Sequence, residues 1–221
     1  MQLKPLFTDI NLETKSNIAS SVFEHLKELI LKGEIPEGTV LSQSEIAMAL
    51  GVSRIPVREA FFQLASEGLI DLTPNKKGEV TSINKETLEE LFEIRMVLES
   101  LALRSSIPRM SMLDIEKLNE ILQQMTELSD HHEWIQLNRK FHMELYQISG
   151  KKQLCNMIQR LSENTERLMY RKSSSLHREE RANKEHREIV KACENREIDN
   201  AVYLLEQHLR ETLDGMIKNI F

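Results

Sequence analysis

Apolar positions recur at helical spacing over most of the chain. In residues 16–32, SNIASSVFEHLKELILK, the side chains of Ile18, Val22, Leu26, Leu29 and Ile30 share one face, and GEIPEG then ends the pattern with a glycine and a proline turn. In LSQSEIAMALG, Ser42 is placed to cap a second helix, with Glu45 at its third position and Leu41 able to pack on Ile46. Gly51 supplies the left-handed residue that closes it. After the turn Gly51, Val52 and Ser53, a third helix is expected with Ser53 as its cap; Pro56 falls in the first turn, where no intrahelical donor is lost, and Gly68 ends the helix.

The period then changes. LIDLT and EVTSI alternate polar and apolar residues and are joined by PNKKG, which predicts a β-hairpin. Helix, helix, turn, helix and hairpin make a winged helix-turn-helix. From residue 85 onward the pattern is helical again, over 85–105, 112–129, 131–148, 151–174, 178–195 and 199–219, with breaks at SSIPRMS, SDHH, SGKK, SSSLH and NREID. Six helices with short connections predict an antiparallel bundle. The expected fold is therefore mainly α, with a DNA-binding head over residues 1–83 and a helical domain over 84–221, joined by a short link at Asn84.

Composition narrows the class. A chain of 221 residues, 40% hydrophobic and 29% charged, can bury two cores without disulfides. Cys155 and Cys193 lie in helical patterns with no partner spacing and are expected as buried thiols. The opening MQLKPLFTDINLETKSN lacks a secretory pattern, and no apolar stretch is long enough to span a membrane, so the expected location is the cytoplasm. The net charge of −6 argues against a broadly basic nucleic-acid surface. Residues 1–82 alone carry 8 Lys and Arg against 11 Asp and Glu. Any DNA contact must come from a small, well-placed patch.

Candidates for that patch stand out. Val57, Phe61 and Leu64 form the packing stripe of the third helix, and Arg54 and Arg58 fall off it near the N-terminus. In a helix-turn-helix this end enters the major groove, where a guanidinium can bond O6 and N7 of guanine or clamp a phosphate. Lys76 and Lys77 at the hairpin tip are placed for phosphate contacts. In isolation, each pair also fits a plain solvated surface.

The stretch LSQSEIAMALGVSRIPVREAFFQLASEGLI resembles the signature of the GntR family of bacterial winged-helix transcription regulators. LEELFEIRMVLESLAL resembles the start of the FCD ligand-binding domain that defines its FadR branch. The resemblance covers nearly the whole chain. It implies a homodimer on a pseudo-palindromic operator, most simply a repressor, tuned by a small-molecule effector. It further implies that Arg54 and Arg58 contact DNA, that Ser53 touches a phosphate, and that Gly78 lets the wing approach the minor groove. Ser44 stands where many members carry an arginine, so one expected contact is missing.

The helical domain holds a second constellation. NRKFHMELYQISG sets Asn138 and His142 four apart on one face; His186 and His208 come from two later helices, each flanked by apolar residues. By pattern alone, three such histidines fit satisfied core residues as well as ligands. Similarity to FCD domains implies a divalent metal held by an Asp, a His four residues later and two further His. His142, His186 and His208 match, and Asn138 replaces the Asp. Three imidazoles suit Zn²⁺ or Ni²⁺, and an amide is a weaker ligand than a carboxylate. A metal with open positions makes a small carboxylate the expected effector, with Arg95 either pairing a second carboxylate or bonding Glu99 at i,i+4. His131, His132 and His177 sit at helix starts or loops and are expected to be exposed. Two other functions stay open at this point: a metal-dependent helical-bundle enzyme, since three histidines can activate water, and a DNA-binding protein whose bundle only dimerises.

Overall fold

Periodic apolar stripes dictate which faces meet, and in the computed structural model they build two units, Met1–Ile83 and Asn84–Phe221. The structure describes residues 18–73, 77–170 and 176–221. In the first unit α1 (Ile18–Leu31) buries Val22, Leu26, Leu29 and Ile30. It packs on α3 (Arg54–Ser66), which buries Val57, Ala60, Phe61 and Leu64. Between them α2 (Gln43–Leu50) contributes Ile46 and Ala47. The cap of α2 forms as its sequence requires: the Glu45 N–H donates to Ser42 Oγ at 3.4 Å. Gly51 closes α2 at φ 64°, a conformation that costs residues with a Cβ about 1 kcal/mol or more.

The wing is a three-stranded antiparallel sheet, with β1 (Val40–Ser42), β2 (Ile70–Thr73) and β3 (Lys77–Val80) in the order β1-β3-β2. The periodicity predicts only two of these strands. With three residues, β1 is too short to display alternation, and it runs directly into the cap of α2. The second hairpin segment also ends early: Thr81 leaves the ladder, and its hydroxyl donates to Gly68 O at 2.8 Å. The result is that β3 lies between two partners, with Lys77 opposite Ser42 on one side and Thr73 on the other.

The second unit is helical, as the 3.6-residue stripes require. It contains α4 (Lys85–Ser106), a single 3-10 turn (Ile107–Arg109), α5 (Met112–Glu127), α6 (His131–Gln147), α7 (Lys152–Tyr170), α8 (Leu176–Glu194) and α9 (Ile198–Ile220). The expected helix over 151–174 runs past Tyr170 into residues outside the described ones. Polar caps set several starts: Asn84 Oδ1 accepts from Thr87 N–H at 2.7 Å, Asp130 Oδ1 from Glu133 N–H at 2.8 Å, and Ser111 with Asp114 closes a reciprocal capping box. Helix α4 packs on α6, α7 and α9, while α8 packs on α5 and α9. Phe92, Leu103, Ile135, Phe141, Leu145 and Leu205 are fully buried where these faces meet. The turn from α8 to α9 is held by Arg196, at φ 61°, whose guanidinium donates to the carbonyls of Ile107 and Met110 at the two ends of the 3-10 turn. Both cysteines are free and buried, and burial pushes the Cys193 thiol up to about 12.

Candidate functional site

Two regions gather chemistry, one in each unit. On the head, Ser42, Gln43, Ser44, Arg54, Ile55, Arg58 and Lys77 line one open groove. Helix α3 turns its packing stripe inward, so Arg54 and Arg58 are both exposed. Arg54 Nη1 donates to Ser44 Oγ at 3.4 Å, a long contact that leans the guanidinium toward α2. Register places Lys77 at the same groove from the wing side. Ser53 occupies the cap position of α3 by its backbone, yet its side chain makes no capping hydrogen bond, contrary to the sequence expectation. The hydroxyl is exposed beside the N-terminus of the helix, where N–H groups favour an anion.

Gly78 has a packing reason to be glycine beside the one its resemblance implies. It is buried in the central strand, and a Cβ built there would lie 2.7 Å from Ile70 Cδ1 and 3.1 Å from Phe61 Cε2. The core of the head excludes a side chain at this position. Lys76 lies outside the described residues.

In the helical unit, His142 from α6, His186 from α8 and His208 from α9 converge. All three are buried, and one nitrogen from each lies within 4.8 Å of the others. The Nε2 atoms of His186 and His208 are 3.3 Å apart. Burial first, and then the neighbouring histidines, hold His142 and His186 well below the usual imidazole range, so both are neutral near pH 7. Neutral imidazoles are what a metal needs and what proton-bearing ones cannot offer. Two acceptors at the site have no hydrogen-bond partner among the described residues: Asn138 Oδ1 and His186 Nδ1, both buried. An orphaned amide oxygen beside three buried imidazoles is a donor set that fits a divalent cation.

Next to these residues is a cavity lined by Asn138, His142 and His208 and by four arginines, Arg95, Arg139, Arg178 and Arg181. Arg95 makes the i,i+4 bond that its spacing allows. It lines the cavity, and it is bonded to Glu99, Nε to Oε1 at 2.7 Å, with Nη1 donating to Thr165 at 2.8 Å. Glu166 also faces the cavity, with Arg139 Nη1 3.4 Å from its Oε2; burial pushes its carboxyl up to about 7 against the pull of Arg139 and Arg95. The cavity encloses about 50 Å³, the room of one or two waters, whereas small-molecule sites occupy on the order of 300 Å³ or more.

Periodicity did not reveal the groups that hold the histidines. His142 Nδ1 is 3.2 Å from the Tyr146 hydroxyl, which donates to Glu99 Oε2 at 2.5 Å. His208 Nδ1 is 2.7 Å from Glu185 Oε2. The i,i+4 spacing of His142 and Tyr146 is a readable signal; Glu185, adjacent in sequence to His186 but bonded to His208, gives none. His131 departs from its expected exposure: it is half-buried, with Nδ1 2.7 Å from Glu179 Oε1 and Nε2 3.2 Å from the Met169 carbonyl. His132 is exposed, and the side chain of His177 is outside the described part.

Residues 18–77 match the family model of the bacterial regulatory proteins, gntR family, and residues 90–211 match the FCD domain. The chain belongs to the GntR family: it is a DNA-binding transcription regulator with a C-terminal FCD domain. It is 31% identical to the HTH-type transcriptional regulator McbR of Escherichia coli over 66% of this chain and 67% of that one. It is 27% identical to the HTH-type transcriptional repressor RspR of the same organism over 94% of each chain. The fold matches that of the solved E. coli McbR/YncC, with a TM-score of 0.79, 24% identity, and 92% of this chain covering 99% of the other. A regulator from Rhodococcus has the same fold at a TM-score of 0.77 and 19% identity, with 92% and 99% covered.

Proposed function

We propose that this regulator is a homodimeric repressor whose grip on a pseudo-palindromic operator is set by a divalent metal and a small carboxylate in the helical domain. The observation that carries the reading is the meeting of three buried histidines with the orphaned Asn138 Oδ1 beside a cavity lined by arginines. Asn138, His142, His186 and His208 would hold Zn²⁺ or Ni²⁺, and the bound ion would offer open positions to an anionic oxygen. The arginines supply the positive lining for the remainder of an acid, with Arg95 or Arg139 pairing a second carboxylate. Because the cavity is small beside ordinary small-molecule sites, admitting an acid would shift the helices that line it, and that movement is the event to be transmitted to the head.

On the head, Arg54 and Arg58 read or clamp DNA from the start of α3, Ser53 meets a phosphate, and Lys77 adds a contact from the wing. Dimerisation is supported by an exposed apolar stripe on α4, where Ile94, Val97 and Leu101 are 41%, 69% and 48% exposed. The repressor sign follows the RspR relative. No helix among the described residues is long and apolar enough to cross a membrane, and a regulator of bacterial genes works in the cytoplasm. A catalytic role is disfavoured because the matched families and the relatives are transcription regulators. The reading is tested by measuring metal content after chelator-free purification, and operator binding with and without added Zn²⁺ across a panel of organic acids. A protein that takes up no metal, or whose operator affinity no acid alters, overturns it.

A further inference from the structure

Proton counting at the histidine cluster leads beyond the ligands themselves. A tyrosine hydroxyl has one proton to donate, and Tyr146 gives it to Glu99 Oε2 at 2.5 Å. Toward His142 the same oxygen can therefore only accept. His142 Nδ1, 3.2 Å away, carries the hydrogen, and His142 Nε2 is left as a bare lone pair. The Glu185 carboxylate likewise only accepts, so His208 Nδ1 at 2.7 Å carries a hydrogen, which in the metal-binding form of the ring leaves Nε2 as the lone pair. In that tautomer His186 Nε2, 3.3 Å across, is the donor, and its Nδ1 is buried without a partner.

Each of the two carboxylates is itself held on its other side. Glu99 Oε1 accepts from Arg95 Nε at 2.7 Å, and Glu185 Oε1 lies 3.2 Å from Arg181 Nε. Both arginines line the cavity. The chains Arg95–Glu99–Tyr146–His142 and Arg181–Glu185–His208 thus end on a ligand nitrogen and begin at the cavity wall. Glu99, Tyr146 and Thr165 are fully buried, so the first chain has no water to substitute for a lost partner.

We propose that Tyr146, Glu99 and Glu185 are positioning residues that set the tautomer and ring orientation of His142 and His208, presenting two Nε2 lone pairs to a divalent cation. This rests on the metal reading above. Removing such an outer partner lowers metal affinity by about 10 to 100-fold, because the imidazole is then free to rotate or to place its proton on the ligating nitrogen.

The test uses the full-length protein with Zn²⁺ alone as the probe, its affinity measured by competition against a chromophoric chelator, in the wild type, Tyr146→Phe and Glu185→Gln. Glu185 is partly exposed, so its variant preserves the fold even where loss of the buried tyrosine hydroxyl does not. Imidazole nitrogen shifts of the metal-free, nitrogen-15-labelled protein supply the second readout. The wild type is expected to show His142 and His208 protonated at Nδ1. His142 should lose that state in Tyr146→Phe and His208 in Glu185→Gln, each with Zn²⁺ binding about 10 to 100-fold weaker. Residues that only support packing would lower the melting temperature and leave both tautomers as they were, which overturns the proposal. So does wild-type Zn²⁺ affinity in both variants. A wild type that binds no Zn²⁺ overturns the metal reading itself, and the proposal with it.

Discussion

Gly78 shows how a single absent Cβ governs the head. Its place is filled by Ile70 and Phe61, the strand and the helix that the wing must join. Gly78→Ala is expected to destabilise the head by about 1 to 3 kcal/mol, read as a lower urea midpoint with unchanged slope, because overpacked cores force off-rotamer side chains. Glu166 makes a second prediction at the same scale. It is faced by Arg139 from α6, by Arg95 and Glu99 from α4 and by Glu163 on its own helix, and burial keeps its proton up to about pH 7. The unfolded chain releases that proton in the ordinary carboxylate range, so between the two values the folded state binds more protons and stability falls as pH rises. Glu166→Gln is expected to flatten the melting-temperature profile from about pH 5 to about pH 8 and to exceed the wild type at the alkaline end. Parallel profiles for the two proteins would refute the assignment.

At the scale of elements, α3 carries the two proposed DNA-contacting arginines. Its inward stripe of Val57, Phe61 and Leu64 is independent of Arg54 and Arg58, so the arginines can be removed without touching the core. Arg58→Ala is expected to weaken operator binding by about 1 to 3 kcal/mol with an unchanged melting temperature. Lys77→Ala should act differently, reducing the slope of affinity against salt by about 1. An Arg54→Ala/Arg58→Ala protein with wild-type operator affinity would rule out α3 as the reading element. The long helices, the turn at Gly51 and the hairpin were legible because each has a periodic or conformational signature of its own. Strand β1 was not, because its three residues gain their structure from pairing with β3 across nearly forty residues of sequence. The same limit explains the site. His142, His186 and His208 sit on apolar faces that periodicity can find, whereas Glu185 and Glu99 reach them through tertiary packing. The cap at Ser53 was legible in position and not in bonding, since a serine at a helix start can face either its own backbone or solvent.

For the molecule as a whole, the exposed stripe Ile94, Val97 and Leu101 on α4 bears on assembly. If two copies meet there, Val97→Glu should yield monomers in sedimentation, with operator affinity falling far more than affinity for a single half-site. A variant that stays dimeric would send the search for the interface to another face.

The groove at the start of α3 has one more consequence, for the time the regulator spends on the wrong DNA. Attraction to random sequence grows with the number of phosphates a protein neutralises, and the head, over residues 1–82, carries more acid than base. Arg54, Arg58 and Lys77 are gathered in one place, while the carboxylates elsewhere repel the duplex. Encounters with unrelated sequence are then expected to be brief, which a shallow salt dependence of binding to random DNA would show.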